Sequence, residues 1–324
     1  MARSAFTSLR AQHHLSREED GTGREEVRAQ SATAHYSVFK QEVVAMLEPK
    51  KSDVVLDATV GLGGHAEALL DAGAGKVIAL DADPRAMEAS RARLERFGSR
   101  AVVLNNNFRD ISPALHDAGV KNISKAVFDL GWNMTQLASG RGFSFLHDEP
   151  LYMAYGEKPA SSFSAAEMIN TFSEKVLADI FFGYGEERYA RRIAKKIIET
   201  RENSPILTTA QLVALIKNAV PAAYRNGRLH PATRTFQALR IAVNDELGSI
   251  EKGLAAAWQA LLPGGRIAVI TFHSIEDRVV KRTFADFAKA GGKLLFKKPM
   301  TPSKEEVAEN PPSRSAKLRA IEKI

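Results

Sequence analysis

Short apolar runs alternate with helical stretches along the first part of the chain. Four runs of this kind occupy residues 54–58, 76–81, 101–104 and 126–129. Short apolar strands separated by helices are typical of a parallel sheet that is covered on both faces. A fifth run follows much later, at 266–272, and two more, at 293–298 and 317–322, flank a proline-rich loop. The pattern predicts an α/β fold with a mostly parallel sheet and two closing strands.

The long interval between the fourth and fifth runs is mostly helical. Apolar residues there recur at the i, i+3, i+4, i+7 spacing of an amphipathic helix, with basic residues on the opposite face. The apolar set is Ala190, Ile193, Ala194, Ile197 and Ile198, and the basic set is Arg191, Arg192, Lys195 and Lys196. Thr208 and Gln211 match a helix-capping box. We therefore predict a helical insertion domain over residues 134–229, which divides an α/β domain into residues 35–133 and 230–324.

Composition narrows the class of protein. The 324 residues are 44% hydrophobic and 26% charged, which is typical of a globular protein with a real core. The chain has no cysteine, which excludes disulfides, cysteine-bound zinc, iron–sulfur clusters and a thiol nucleophile. No apolar run is long enough to cross a bilayer. Residues 1–34 lack a secretory signal's apolar core and carry acidic pairs that transit peptides avoid, so we expect a disordered extension on a cytoplasmic protein.

A glycine-rich turn stands directly between the first strand and the first helix. It reads G-L-G-G-H, from Gly61 through Gly63 and Gly64 to His65. Glycines there let a ligand approach the backbone, and free N–H groups at a helix start favour an electronegative ligand group. Asp81 follows Gly61 by twenty residues at the end of the second strand, where a carboxylate can accept both hydroxyls of a ribose. The turn and Asp81 together predict a nucleoside-type cofactor.

The spacing of the glycines narrows the choice of cofactor. The dinucleotide fingerprint G-x-G-x-x-G is not met, and no Gly-Lys-Ser/Thr follows, which excludes a phosphate-binding P-loop. S-adenosylmethionine is therefore favoured over NAD. The two C-terminal strands favour it as well, because a closing antiparallel hairpin is typical of methyltransferase sheets. We predict a Rossmann-like class I methyltransferase fold that is interrupted by the helical insertion.

Two residues at later strand ends are further candidates. Asp129 ends the fourth strand, at the edge where open α/β sheets place ligands and chemistry. Burying an unpaired carboxylate would cost several kcal/mol, so a loop or a ligand must solvate Asp129, and we favour a functional role. Phe108 follows the third strand, where it can stack on an adenine ring or serve as an ordinary core residue. For Phe108 the residues alone favour neither interpretation.

Seven segments match the motifs of one known family. They lie at residues 61–65, 128–131, 141–145, 184–188, 230–241, 272–278 and 313–319. Through them the chain resembles the RsmH/MraW family, the S-adenosylmethionine-dependent 16S rRNA (cytosine-N4)-methyltransferases. The resemblance covers nearly everything from His35 to Ile324 and leaves out the N-terminal extension.

The resemblance implies a cofactor site and a partner. The implied contacts of S-adenosylmethionine are Gly63, Gly64, His65, Asp81, Phe108, Asp129 and Gln136. The insertion would be a substrate-side domain, and the partner would be 16S rRNA in the small ribosomal subunit. The reaction requires no metal, and no histidine pair has metal-ligand spacing, so no metal site is expected. The oligomeric state, monomer or homodimer, stays open.

The chain departs from the family's pattern in two places. The family usually continues Asp-Leu-Gly with V-S-S-P-Q-L-D, whereas residues 132–138 here read W-N-M-T-Q-L-A. The family's P-L-D-M-R-M corresponds here to residues 150–155, where Tyr152 and Ala154 replace an acidic and a basic residue. Both changes lie on the side expected to receive the target base. They leave two alternatives open: a diverged enzyme acting on another nucleic acid, and a non-catalytic RNA-binding assembly factor.

The chemistry of cytosine N4 suggests roles for particular side chains. Because the N4 lone pair is delocalised into the ring, attack on a methyl group needs close in-line placement and an acceptor for an amino hydrogen. We assign that acceptor to Asp129 or to a backbone carbonyl of residues 130–131. Trp132 and Tyr152 are candidates to stack on a flipped base, although Trp132 is equally well explained as a core residue.

A basic segment is the candidate RNA surface. Residues 184–234 carry ten Lys and Arg against four Glu. We expect Arg192, Lys196 and Arg234 to contact RNA and the affinity to fall with salt. The alternative is a solvated helix face, with Arg234 paired to a carboxylate for structural reasons alone.

Overall fold

The computed structural model describes residues 37–131, 134–137 and 139–324, without the side chains of Met134 and Thr135. Within them the chain forms a seven-stranded sheet of order β3-β2-β1-β4-β5-β7-β6. The strands are β1 Val54–Asp57, β2 Lys76–Asp81, β3 Ala101–Asn105, β4 Ile123–Asp129, β5 Leu261–Thr271, β6 Gly292–Leu294 and β7 Lys317–Lys323. Strands β1 to β5 are parallel, and β7 runs antiparallel to both β5 and β6. The predicted class I methyltransferase sheet is confirmed.

Helices separate the strands and fill the interval between β4 and β5. The helices before β4 are α1 Lys40–Leu47, α2 Gly64–Asp71, α3 Pro84–Leu94 and α4 Ile111–Asp117. Those between β4 and β5 are α5 Met134–Leu137, α6 Ala165–Thr171, α7 Glu174–Gly185, α8 Ala190–Arg201, α9 Thr209–Ala219, α10 Ala222–Arg225, α11 Thr233–Asn244 and α12 Glu246–Ala260. The last two are α13 Ser274–Lys289 and α14 Lys304–Glu309. Three short 3₁₀ helices cover Glu95–Arg100, Phe108–Asp110 and Pro311–Ser315.

The sheet is buried on both faces, as the apolar strands predict. Successive residues point to opposite faces, so Leu56 joins one core cluster and its neighbour Val55 joins the other. Helices α4, α12 and α13 cover the first face, while α1 and α2 cover the second. Because β1 to β5 are parallel, their carboxyl ends meet along one edge of the sheet. Ligands bind at that edge in open α/β folds.

The helical interval has a core of its own. Buried residues from Leu151 to Val243 form one apolar cluster that is separate from the two clusters on the sheet. Helix α8 buries Ala190, Ile193, Ala194 and Ile197, as its periodicity predicts. Helix α11 starts at Thr233, beyond the predicted boundary at 229, and adds its apolar face to the same cluster. The domain boundaries stay a prediction, and residues 1–34 lie outside the described residues.

No helix in the described part of the chain is both long enough and apolar enough to span a membrane.

Candidate cofactor and catalytic site

Three aspartates end strands of the parallel sheet at one edge. Asp57 ends β1, Asp81 ends β2 and Asp129 ends β4. In the sheet register, Asp57 pairs with Val127 and Asp81 pairs with Asn105, so the strand ends are nearly level. The carboxylates are therefore gathered where the fold binds ligands.

The glycine turn lies against this edge and begins α2. Gly61 and Gly63 have φ values of +50° and +85°, which side-chain-bearing residues rarely adopt. Gly63 is the N-cap residue of α2. A Cβ on Gly64 would lie 2.0 Å from Ser37 Oγ and 3.2 Å from Ser37 Cβ, so glycine at this position lets the Ser37 side chain pack closely against the turn. Backbone conformation explains the first two glycines, and close packing against Ser37 explains Gly64.

Asp81 joins the glycine turn to the end of β2. One carboxylate oxygen accepts the Gly61 N–H at 2.9 Å, and the other accepts the Asp83 N–H at 2.8 Å. Burial raises the pKa of Asp81 to about 6, although the backbone hydrogen bonds from Asp83 and Gly61 oppose the shift. A carboxylate offers about four lone-pair positions, so Asp81 retains capacity to accept hydroxyl groups. Its surroundings fit the ribose of S-adenosylmethionine.

Asp129 is a carboxylate held in place by its backbone with one oxygen free. Its N–H donates to Thr59 Oγ1 at 2.6 Å, and its Oδ1 is enclosed without a hydrogen-bond partner among the described residues. Burial first, and then the charges of Asp57 and Glu276, raise its pKa well above the ordinary value. Burial also raises the pKa of Asp57 to about 7, and Asp57 Oδ2 likewise has no partner in the described part.

These two free oxygens favour a ligand that brings positive charge or hydrogen-bond donors. An unsatisfied buried polar atom costs about 1–3 kcal/mol, so the fold tolerates Asp57 and Asp129 at a loss of stability. S-adenosylmethionine carries a sulfonium and an ammonium, and cytosine N4 carries two hydrogens. The residues present therefore fit the cofactor and an exocyclic amine.

His65 lies on α2 beside Asp129. The ring is 4% exposed, its Nε2 lies 3.0 Å from the Val38 carbonyl oxygen, and its Nδ1 lies 3.7 Å from Asp129 Oδ2. These contacts place His65 between the turn that precedes α1 and the end of β4. Its predicted cofactor contact stays a prediction.

A cavity of about 450 Å³ opens at the residues that follow β2 and β3. Its lining includes Ala82 after β2, residues 105–107 after β3, and Tyr155 from the helical interval. Pockets of this size hold nucleoside-sized ligands. Phe108 instead packs edge-on against Phe128, with ring centroids 6.0 Å apart. This packing favours the core interpretation of Phe108, and adenine stacking on that ring stays a prediction.

Arg141 connects the helical interval to Asp81 through Asp83, and the sequence did not predict this connection. Its guanidinium donates to Asp83 Oδ2 at 2.6 Å and to the Tyr155 carbonyl at 2.7 Å. Asp83 is buried and caps α3, and its own N–H donates to Asp81. The Tyr155 hydroxyl donates to Glu246, which is also paired with the buried Arg240. Asp83 directly before Pro84 is a visible helix-start signal, whereas nothing in the sequence reveals its pairing with Arg141.

The predicted substrate-side residues have varied surroundings. Trp132 lies outside the described residues, as do Asn133 and Ala138. Gln136 is buried on α5, and its carbonyl accepts hydrogen bonds from Ser139. The Tyr152 hydroxyl donates to the Glu157 carbonyl at 2.5 Å, so stacking on a base would require only its ring.

The predicted RNA contacts differ in how free their charges are. Lys196 pairs with Glu199 at 3.2 Å, and Arg234 donates to the Glu186 carbonyl. Arg192 is exposed and, within the described residues, has no carboxylate partner. The three roles stay predictions, with Arg192 the freest of the three cations.

Glu246, His273 and Glu276 bring potential metal-ligand atoms within 4.8 Å of one another. The contacts within this group already satisfy much of its bonding capacity. Arg240 donates to both oxygens of Glu246, at 2.7 and 2.9 Å. His273 caps α13 and forms a reciprocal capping box with Glu276. Because an arginine occupies the Glu246 carboxylate, we assign these residues a structural role.

Two features define a class I methyltransferase. Strand β7 runs antiparallel to its neighbours in an otherwise parallel arrangement, and the glycine turn is hydrogen-bonded to the carboxylate that ends β2. The chain belongs to the MraW methylase family, whose model matches residues 32–324. Members of this family take the methyl group from S-adenosylmethionine.

Two relatives show how closely the chain follows the family. A ribosomal RNA small subunit methyltransferase H of Geobacter sp. strain M21 is 47% identical over 311 residues, covering 90% of this chain and 98% of the relative. The protein of the same name in Heliobacterium mobile is 43% identical over 310 residues, covering 90% and 99%. The solved structure of an rRNA methylase from Streptococcus thermophilus has a TM-score of 0.42 and 11% identity, covering 88% of this chain and 93% of that one. That structural likeness is too distant to bear on function.

Proposed function

We propose that this protein transfers the methyl group of S-adenosylmethionine to N4 of a cytidine in 16S rRNA of the small ribosomal subunit, in the cytoplasm. The observation that carries the proposal is the enclosed oxygen of Asp129 at the end of β4, which has no hydrogen-bond partner among the residues that the structure describes. It lies at the ligand-binding edge of a methyltransferase sheet, where an amino hydrogen would satisfy it. Family membership and relatives named as ribosomal RNA small subunit methyltransferases support the choice of substrate.

The chain's own residues divide the work of binding. Asp81 accepts the ribose hydroxyls, and the backbone from Gly61 to Gly64 forms the wall beside them. Asp57 and Asp129 supply negative charge near the cationic groups of the cofactor. Bound S-adenosylmethionine supplies an electrophilic methyl group, so no covalent bond to the protein is needed.

Asp129 performs two tasks toward the target base. Its free oxygen accepts an N4 hydrogen, which orients the amino nitrogen and draws its lone pair out of conjugation with the ring. When the N4–carbon bond forms and the sulfur–carbon bond breaks, the nitrogen must release a proton. The raised pKa of Asp129 makes its carboxylate a stronger base than an ordinary aspartate, which suits it to receive that proton. The carbonyls of Leu130 and Gly131 are alternative acceptors for the second amino hydrogen.

Single-turnover transfer tests the proposal. Enzyme is mixed with S-adenosylmethionine carrying a labelled methyl group and with small subunits that lack the modification, and the RNA is digested to nucleosides. We expect the label in N4-methylcytidine. Label in another nucleoside indicates the diverged-substrate alternative, and tight RNA binding without transfer indicates an assembly factor.

Charge reversal on α8 is expected to weaken RNA binding. Arg192→Glu should lower the affinity about tenfold at low salt, because it removes an unpaired cation and adds an anion. Lys196→Glu should have a smaller effect, because Lys196 is already paired with Glu199. Binding is measured by filter retention over a range of salt concentrations. Lys121→Glu, on the exposed turn before β4, is the matched control; equal losses for Arg192→Glu and Lys121→Glu would remove α8 from the RNA surface.

Cofactor affinity is expected to fall as the pH drops below about 6. The carboxylate form of Asp81 accepts ribose hydroxyls best, and its pKa of about 6 means that acidification protonates it. Protonation of Asp57, with a pKa of about 7, removes negative charge near the cationic cofactor and so acts in the same direction. Titration calorimetry from about pH 5 to about pH 8 measures the profile. A flat profile would contradict the assigned role of Asp81.

A further inference from the structure

Two tyrosine rings that the proposed mechanism does not use lie at the start of α8. The rings of Tyr189 and Tyr224 have centroids 4.9 Å apart and an interplanar angle of 68°. The guanidinium carbon of Arg188 lies 4.7 Å from the Tyr224 centroid and 5.1 Å from the Tyr189 centroid. That of Arg192 lies 5.9 Å from the Tyr189 centroid. Cation–π attraction therefore holds two guanidinium groups against one pair of rings.

A buried carboxylate fixes the position of the rings. Glu187 is fully buried, and it accepts the Tyr224 hydroxyl at 2.6 Å and the Tyr189 N–H at 2.8 Å. Burial, followed by the hydrogen bond to Glu187 and its charge, raises the pKa of Tyr224 to about 12. The hydroxyl therefore stays protonated and keeps donating. The two arginines thus rest on aromatic rings whose positions are set from inside the protein.

The charges of these arginines are not neutralised. Arg188 and Arg192 are exposed, and in the described part of the chain neither has a carboxylate oxygen within ion-pair distance. Their hydrogen-bond donors are therefore available to a ligand. A planar guanidinium matches the oxygens of a phosphate group, and one that is already oriented loses less freedom on binding.

The cluster is also joined to the catalytic edge. Glu186, next to the buried Glu187, accepts a hydrogen bond from Arg278 at 2.7 Å and from the Ser274 hydroxyl at 3.3 Å. Ser274 begins α13 with two residues between it and the end of β5, and β5 pairs with β4 where β4 ends at Asp129. A short segment thus links the two arginines to the edge that carries Asp129.

We propose that Arg188 and Arg192, supported by Tyr189 and Tyr224, form a binding site for a backbone phosphate of the RNA substrate. This inference rests on the proposed function, which makes RNA the partner. Contacts to phosphate fix the register of a nucleic acid and carry no base information. The site would hold the strand beside the target nucleotide while the base enters the catalytic edge.

Three arginine variants test the site, with RNA affinity measured over a range of salt concentrations. Arg188→Ala should lower the affinity about tenfold and reduce the salt slope by about 0.7, the contribution of one phosphate contact on single-stranded RNA. Arg192→Ala should act in the same direction. Arg191→Ala is the matched control, because it removes an exposed cation from the same helix turn without aromatic support. Affinity for S-adenosylmethionine should be unchanged in all three, which shows that each variant is folded.

The outcomes separate this site from the proposed function. Equal losses for Arg188→Ala and Arg191→Ala would overturn the site and leave the proposed function standing. Failure of the unaltered chain to bind RNA would overturn both. If Arg188→Ala binds naked RNA normally but loses intact small subunits, the cluster contacts an acidic ribosomal protein, and the phosphate site is wrong.

A double-mutant cycle tests the aromatic support. Tyr224→Leu should weaken RNA binding when Arg188 is present and have little further effect in Arg188→Ala. Losses that simply add would show that the ring does not act through Arg188, which would overturn the proposed support. If Tyr224→Leu does not fold, Tyr224→Phe replaces it in the cycle: it keeps the ring but removes the hydroxyl that Glu187 holds, so RNA affinity should fall, though less than in Arg188→Ala. In either case, the comparison of Arg188→Ala with Arg191→Ala tests whether the two arginines form a phosphate site.

Discussion

Asp129→Asn is expected to abolish most methyl transfer even when S-adenosylmethionine is saturating. The substitution keeps the shape of the side chain but removes the group that accepts the N4 proton. General bases contribute about 10²–10⁴-fold to rate, so the single-turnover rate should fall within that range. The rate is measured with saturating enzyme and labelled S-adenosylmethionine. Asp117→Asn, on an exposed residue at the end of α4, is the matched control.

Stability provides a second measurement on the same variant. Because burial and neighbouring negative charge raise the pKa of Asp129 above its unfolded value, this carboxyl lowers folding stability as the pH rises above the unfolded pKa. Asp129→Asn removes that penalty, so its melting temperature at neutral pH should be no lower than that of the unaltered protein. Full transfer activity in Asp129→Asn would show that the acid plays no part in the reaction.

Asp81→Asn is expected to weaken binding of S-adenosylmethionine about a hundredfold or more. Hydrogen bonds to a charged group contribute about 1.5–3 kcal/mol each, and Asp81 is assigned two from the ribose. The loss should be equal for S-adenosylhomocysteine, because both ligands carry the same ribose. Asp129→Asn should instead affect S-adenosylmethionine more, because only that ligand carries the sulfonium charge.

Calorimetry with both ligands measures the difference. Glu88→Gln, which neutralises an exposed carboxylate on α3, is the matched control for charge. Near-normal affinity in Asp81→Asn would place the ribose elsewhere. A loss confined to S-adenosylmethionine would indicate that Asp81 acts through its charge rather than by binding hydroxyl groups.

Much of the sheet is predictable from the sequence because its strands are short and apolar. The predicted strand at 76–81 has the same bounds as β2, and β7 at Lys317–Lys323 exceeds its prediction by one residue. Strand β5 starts at Leu261, five residues earlier than predicted. Pro263 and the two glycines that follow it predict a turn before residue 266. In the structure they lie within β5, at an irregularity in the β4–β5 register. The strand predicted at 293–298 is shorter in the structure, where the edge strand β6 covers only Gly292–Leu294.

In the candidate site, too, local features can be predicted from the sequence and long-range contacts cannot. The roles of the glycine turn and Asp81 can be predicted from the sequence, because they depend on local conformation and on fixed spacing along one βαβ unit. The pairing of Arg141 with Asp83 joins residues 58 positions apart, so only the folded chain reveals it. The charge environment of Asp129 likewise depends on Glu276, which lies beyond the helical interval. Long-range electrostatics of this kind leave no periodic signal in a sequence.

A crystal structure with S-adenosylhomocysteine tests the central claim most directly. We expect both ribose hydroxyls within hydrogen-bond distance of the Asp81 carboxylate, the adenine in the cavity beside Ala82 and residues 105–107, and the sulfur facing Asp129. A ligand whose ribose lies away from Asp81, or whose sulfur faces away from Asp129, would contradict it.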